Sequence, residues 1–394
     1  MLSKKEVTTA FKALGIYTDN KKYFDQKYYS NWVHSFFYDR KDNLRPHLSL
    51  NETMVKEFNH SLSASEEVFE DCYVKGIDIF FFESDLAIFS IKIDLQHPKV
   101  QLQNVVDFAS LFRRSTINEE MKDIPISVAL IEKYITSKFH TNPQLWRDFN
   151  PQLKSAAFMD VSENPGSKDI NELLYQLGTF STFSSEDGMY IPEEDYTDKL
   201  LDKGLLSIFK NWRVLCLYDS LSRVAINLNE KDKYKLWENE YILIYIYTLY
   251  TRYFLHYSNN QLTRVIDNKK LVGNSRSAFF DFKNEFNHEK ISYKFLPNEI
   301  YSTIKDCLGV EEEIKSIEEK LSRINVLNQE QYQKRVNRIL FILTLLTLIS
   351  VGYDAGQLAT EQDPLKYGIS IAIIALFLIV FLVLFNIKKN NRNS

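Results

Sequence analysis

The chain lacks the local signatures of most enzymes. In its 394 residues there is no glycine-rich loop of the kind that cradles phosphate, no Cys/His spacing that suits zinc and no nucleophile elbow. Cysteine is scarce: Cys72, Cys216 and Cys307 lie far apart and match no metal pattern, so they read most simply as buried thiols. The seven histidines form no i, i+4 pair. The N-terminus has no sustained apolar run, which argues against a signal peptide. Net charge is only −4, so bulk charge gives no reason to expect direct binding of a nucleic acid. These absences point away from catalysis and call for no cofactor. Aromatics, in contrast, are plentiful, with 23 Tyr and 28 Phe, as expected of a packed domain rather than a disordered tail.

Long apolar runs occur only near the C-terminus. Ile339 to Gly352 is apolar except for Thr344, Thr347 and Ser350, and Tyr367 to Ile387 is apolar except for Ser370 and Asn386. About 20 helical residues cross the hydrocarbon core. Residues 336–355 and 367–387 therefore read as two transmembrane helices, since lipid leaves no other way for a single segment to satisfy its backbone. Lys334, Arg335 and Arg338 precede the first span, and Lys388, Lys389 and Arg392 follow the second. The loop between them, 356–366, carries Glu361 and Asp363 against Lys366. By the positive-inside rule both termini are cytoplasmic. Residues 1–233 then form a cytosolic α/β domain, 234–335 a helical region with a stalk helix, and 388–394 a basic cytosolic tail. Two spans cannot enclose a pore in one copy, so transport requires a homo-oligomer.

Within the cytosolic part the pattern is α+β: a mixed sheet with helices. The first 65 residues read as short helices and loops. Strands are expected from Gly76, with Ile77 to Phe82 and Leu86 to Asp94 joined by a turn at Glu83-Ser84-Asp85. A helix follows from His97-Pro98 to Arg113-Arg114, then strands at Ile126 to Ile131 and Ala156 to Val161, and a helix from Asp169 to Leu177. Asn164 to Lys168 and Ser181 to Asp195 read as loops. Arg213 to Ile226 reads as a hairpin turning at Asp219-Ser220. Trp237 to His256 is apolar or aromatic on nearly every face, the mark of a buried helix, though Glu238, Glu240 and Arg252 interrupt it. Ser277 to Glu289 is a further helix. Asn298 to Arg338 follows as one long helix with Gly309 as its candidate break. Ile314, Ile317, Leu321 and Ile324 form its seam, and Asn328 is a polar residue of the kind that sets register.

Two sets of residues carry candidate chemistry. Asn337, Thr344, Thr347, Val351 and Asp354 recur at intervals of seven, three, four and three, which places them on one stripe of the first span. Around an axis they would form polar rings ending in carboxylates, an arrangement that suits cations. The alternative is that the threonines bond the preceding turn and that Asp354 is solvated at the interface. Arg113 and Arg114 offer planar forks of donors to a phosphate, or else simply favour a helix C-terminus. Asp219, beside Ser220, Ser222 and Arg223, can accept from ribose hydroxyls or an amino group, or else supports the turn.

The segment SVGYDAGQLATEQDPLKYGISIAI, the helix that leads into it, and FKNEFNHEKIS upstream resemble the CorA family of metal transporters. Tyr353 stands where that family has the aromatic residue before its Gly-Met-Asn signature, and Lys366-Tyr367-Gly368 stands where its second span resumes. Asp354-Ala355-Gly356 replaces the signature itself, whose asparagine ring holds the hydrated ion. The resemblance implies a pentamer with the first spans around the axis. It is nearest to a branch that lacks the signature and accompanies type III CRISPR systems, where an antiviral membrane effector in the cell inner membrane responds to a nucleotide second messenger such as an adenosylmethionine–AMP conjugate. The remaining readings are a divalent cation transporter, a structural, membrane-anchored oligomer without transport, and a hydrolase that degrades the second messenger.

Overall fold

The computed structural model describes residues 28–30, 32–33, 47–49, 52–63, 72–82, 87–95, 105, 154–161, 167–180, 193–226, 235–266, 268–360 and 375. The chain divides into two units, Met1–Ile317 and Glu318–Ser394.

In the first unit, strands β1 (His47–Ser49), β2 (Cys72–Phe81) and β3 (Ala87–Leu95) form an antiparallel sheet in that order. Strand structure thus begins earlier than Gly76. Helix α1 (Glu52–Ser63) crosses from β1 to β2. Its Asn59 covers the stretch of β2 that short β1 does not reach. The amide oxygen accepts from the Val74 N–H at 2.6 Å and the amide nitrogen donates to the Val74 carbonyl at 2.9 Å. One side chain thereby satisfies both backbone groups at an unpaired edge. Buried Asp78 is held by the Ser49 hydroxyl and by Lys92 at 3.3 Å.

A second, mixed sheet is built from β4 (Ser155–Val161), β5 (Leu205–Phe209), β6 (Trp212–Cys216) and β7 (Ser220–Ile226), in the order β4-β7-β6-β5. β4 and β7 run parallel, and the other pairs are antiparallel. The expected strand at 156–161 and the expected hairpin at 213–226 are both present, except that Ser220 opens β7 instead of ending the turn. Every residue of β7 is buried, because it is an inner strand covered on both faces. Val224 and Ile226 pack under helices α2 (Ser167–Thr179) and α3 (Glu194–Gly204), against Ile170, Leu174, Leu177 and Leu201. On the opposite face Arg223 lies beneath Trp237, its guanidinium 5.5 Å from the ring centre, and donates to Asp160 at 3.0 Å. Trp237 also meets Trp212 and Tyr241 edge-on.

The predicted buried helix is present. It opens with a π-helical turn at Trp237–Tyr241 and continues as α4 (Ile242–Arg264), in which every residue from Leu243 to Thr251 is buried. It meets both sheets. Tyr250 stacks on Phe82 at 4.0 Å, and Arg252 reaches the β6–β7 turn. Helix α5 (Lys269–Phe286) starts before the expected Ser277 and stops before Glu289. Its Phe282 stacks on Phe254 at 3.7 Å, and the Phe286 carbonyl accepts from the Tyr247 hydroxyl at 2.6 Å.

The long helix expected from Asn298 begins earlier and is two helices: α6 (Phe295–Cys307) and α7 (Val310–Thr360). The break is at Gly309, whose φ of 65° is the left-handed conformation that glycine adopts without strain. Its N–H donates to the Asp306 carbonyl at 3.1 Å, which closes α6. Glu311, Glu312 and Glu313 then open α7, where acidic groups meet the positive end of the helix dipole. The seam residues Ile314, Ile317, Leu321 and Ile324 are buried, and Asn328 is half-buried. Beyond it, large apolar side chains from Ile339 to Val351 are exposed. α7 is long and apolar enough to cross a membrane, and it runs past Ala355 to Thr360.

Several expected elements lie outside the described residues: the strand at 126–131, nearly all of the span at 367–387, nearly all of the loop at 181–195 and most of the helix ending at Arg113-Arg114. Of that helix Val105 is described, helical and packed against the core of the second sheet. Ser167 and Lys168, expected in a loop, open α2.

Candidate functional site

The turn between β6 and β7 is Leu217-Tyr218-Asp219. The Leu217 N–H donates to the Ser220 carbonyl at 2.8 Å, so the two strands stay paired up to the turn. The Asp219 carbonyl accepts from the Ser155 N–H at 3.2 Å, which anchors the start of β4. Lys154, just ahead of β4, forms an ion pair with the Asp219 carboxylate and donates to the Tyr218 carbonyl at 3.1 Å. The Lys154 side chain is 7% exposed and that of Asp219 is 40% exposed. The Asp219 carboxylate is thus tied to Lys154 beside the turn, and it also offers surface to solvent.

Tyr218 sits between two cations. Lys154 Nζ lies 4.1 Å from its ring centre and the Arg252 guanidinium carbon lies 5.7 Å from it. The half-exposed ring gains from both, since each faces the negative π-cloud. Arg252 continues the path. Its Nη1 is 2.7 Å from Glu313 Oε2 on the first turn of α7. Glu313 Oε1 accepts from Asn259 at 2.9 Å. Burial alone would raise the Glu313 carboxyl; the hydrogen bonds from Asn259 and Arg252 overcome it and hold the group below the usual carboxylate range. Burial likewise works against the Arg252 charge, and Glu313 more than offsets it. Tyr253 is pushed up, first by burial and then by Tyr218 and Asp219.

Beside this path is a cleft of about 400 Å³. Its walls are the C-terminal ends of α2 (Gly178, Thr179), α3 (Leu200, Lys203, Gly204) and α6 (Cys307), together with Cys216 to Asp219. Helix C-termini carry partial negative charge. Three of them plus the Asp219 carboxylate favour a hydroxyl- or amine-bearing group, or a cationic centre, over a bare phosphate. Lys203 is the cation on the wall itself. Gly204 lets the walls meet closely: a Cβ there would stand 2.2 Å from the Cys216 carbonyl oxygen.

Of the residues singled out in the sequence, Asp219 lines this cleft. Ser220 is buried behind it and donates to the Gly178 carbonyl at 2.6 Å. Arg223, on the next face of β7, points away to Trp237. Arg113 and Arg114 lie outside the described residues. On α7, Asn337, Thr347, Val351 and Asp354 are exposed and Thr344 is half-buried. Thr344 donates to the Leu340 carbonyl at 2.8 Å, and Thr347 donates to the Leu343 carbonyl at 2.7 Å. The back-bonding alternative thus describes their hydroxyl protons. The oxygen lone pairs remain as acceptors.

Lys154, Arg252 and Glu313 were not legible as site residues. One signal was present: an arginine in a helix that is otherwise buried and aromatic needs a partner. The partner lies 61 residues on and is one of three consecutive glutamates, which are indistinguishable without the packing. Cys307, expected to be buried, is partly exposed beside buried Cys216.

No family model, curated protein or solved structure matches this chain.

Proposed function

We propose that this chain is a subunit of a CorA-like homo-oligomeric channel in the cell inner membrane. In this reading its cytosolic part binds a nucleotide second messenger, such as an adenosylmethionine–AMP conjugate, and opens a cation pore as an antiviral type III CRISPR effector. By resemblance the oligomer is a pentamer, with both termini cytoplasmic and a second span at 367–387. One observation carries the reading. A continuous set of contacts runs from Asp219 and Lys154 at the cleft, through Tyr218 and Arg252, to Glu313 in the opening turn of the helix that also holds the exposed apolar run.

The charge pattern supports the ligand class. The cleft favours the sulfonium, amino or ribose hydroxyl end of such a conjugate. The phosphate then falls to cations, with Lys203 on the cleft wall and Arg113-Arg114 as the expected pair. A ligand group that takes Asp219 away from Lys154, or that moves the Tyr218 ring, disturbs Arg252 and hence Glu313. Toward the pore, Thr344 and Thr347 present acceptor oxygens on the stripe that ends at Asp354, which suits a cation and disfavours an anion.

The test is ion flux in proteoliposomes with and without adenosyl nucleotides. Wild type is expected to conduct cations only with ligand, and Asp354→Asn is expected to conduct severalfold less while assembling normally. Equal flux would make Asp354 an interfacial charge. Flux indifferent to every nucleotide would favour the divalent cation transporter, and a protein that never conducts would favour the structural anchor.

A further inference from the structure

Two thiols meet at the back of the cleft. Cys216 is the last residue of β6 and Cys307 the last of α6, and both line the same wall. The end of α3 brings them together. Cys307 Sγ lies 3.9 Å from the Lys203 carbonyl oxygen, while the next residue, Gly204, has the Cys216 carbonyl pressed against its Cα. The Cys216 thiol donates to the Leu217 carbonyl at 3.8 Å, and it lies near enough to Cys307 for the two thiols to interact. Both cysteines are free.

Their settings differ in a way that assigns roles. Cys216 is fully buried and Cys307 is partly exposed at the cleft. The interaction with Cys216, helped by the nearby Lys203 charge, holds the Cys307 thiol below its usual range against the effect of burial. The same interaction, followed by burial, pushes Cys216 well up. A thiolate is the reactive form, and reactivity requires access. Cys307 is the more readily ionised and the more accessible of the two, and Cys216 is its buried neighbour.

We propose that Cys216 and Cys307 are an oxidant-responsive pair, in which a small peroxide oxidises Cys307 and Cys216 resolves the product to a disulfide joining β6 to the end of α6. The Cys307 thiolate attacks one oxygen of hydrogen peroxide. The O–O bond breaks, hydroxide leaves and Cys307 becomes a sulfenic acid, oxidised by two electrons. The Cys216 sulfur then gives up its proton and attacks the Cys307 sulfur. The S–S bond forms, the S–O bond breaks and the departing hydroxide takes the proton as water. A small thiol reverses the pair by exchange. The bridge pins Cys307 two residues ahead of Gly309, where α6 ends and α7 has yet to begin.

The experiment needs no ligand or flux measurement, so it stands apart from the channel reading. Purified full-length protein is titrated with hydrogen peroxide, remaining thiols are alkylated, and peptides are mapped without reduction. The Cys216–Cys307 linked peptide should exceed every other oxidised cysteine product severalfold and should disappear after treatment with a thiol reductant. In Cys216→Ser, the same peroxide should instead leave a sulfenic acid at Cys307 that a dimedone-type reagent traps. A wild type in which Cys307 stays alkylatable at doses that oxidise Cys72, goes to sulfinic acid without bridging, or bridges to Cys72 would overturn the assignment.

Discussion

Asp160→Ala lowers the stability of the protein by about 3–5 kcal/mol, whereas Arg223→Met at the other end of the same ion pair costs no more than about 1–2 kcal/mol. The asymmetry follows from where each charge sits. The Arg223 side chain is 0% exposed, in the middle of the sheet, and that of Asp160 is 35% exposed at its margin. Removing the carboxylate takes away the counter-charge 3.0 Å from a guanidinium that water cannot reach. Removing the guanidinium leaves a carboxylate that is already partly hydrated, and the methionine fills most of the space beside Trp237. Trp212 and Trp237 flank this spot, so the fluorescence midpoint in denaturant reports it directly. Equal costs for the two variants would mean that the pair is solvated as a unit and that Arg223 is not the constrained partner. The site depends on this outcome, because β7 positions Ser220 and the turn that holds Tyr218 and Asp219.

Glu313→Gln is expected to cost about 2 kcal/mol at neutral pH. Glutamine retains the acceptor for Asn259 but loses the charge that Arg252 meets at 2.7 Å. Both side chains are mostly buried, at 16% and 14% exposed, so the pair is worth more than a surface ion pair and less than one sealed from water. The pH dependence gives the sign. The folded carboxyl is held below its unfolded value of about 4.3. Below that value the unfolded state binds more protons than the folded one, so stability rises with pH there. The contribution of Glu313 is complete above the unfolded value and is lost as pH falls through the lower folded value. Thermal midpoints of wild type and variant should therefore differ by a constant amount near neutrality and converge in acid. A gap that persists unchanged in acid would assign the loss to packing rather than to the charge.

What the sequence determined by itself is local. Alternating residues between Arg213 and Ile226, a small polar turn and buried β-branched side chains define that hairpin before any packing is known. Gly309 breaks the helix because glycine takes positive φ readily. The aromatic run from Trp237 onward is apolar on too many faces to be a surface helix, and it is buried. The run from Ile339 to Gly352 is apolar except for Thr344, Thr347 and Ser350, and α7 there carries exposed apolar side chains suited to lipid.

The tertiary structure decided the rest. Helix α3, EDYTDKLLDKG, shows too few apolar residues to announce a buried face. It is held by Leu201 in the core and by Gly204 against the Cys216 carbonyl. β5 follows it without a break and gains its identity from pairing with β6. The site is the clearest case. Lys154, Tyr218, Arg252 and Glu313 come from four separate segments of the chain, and Cys216 and Cys307 from two. Periodicity reports which face of an element is apolar, because burial repeats with the helix or strand. It does not report which charge meets which across elements, because those partners are chosen by the order in which the elements pack, and that order is a property of the whole fold.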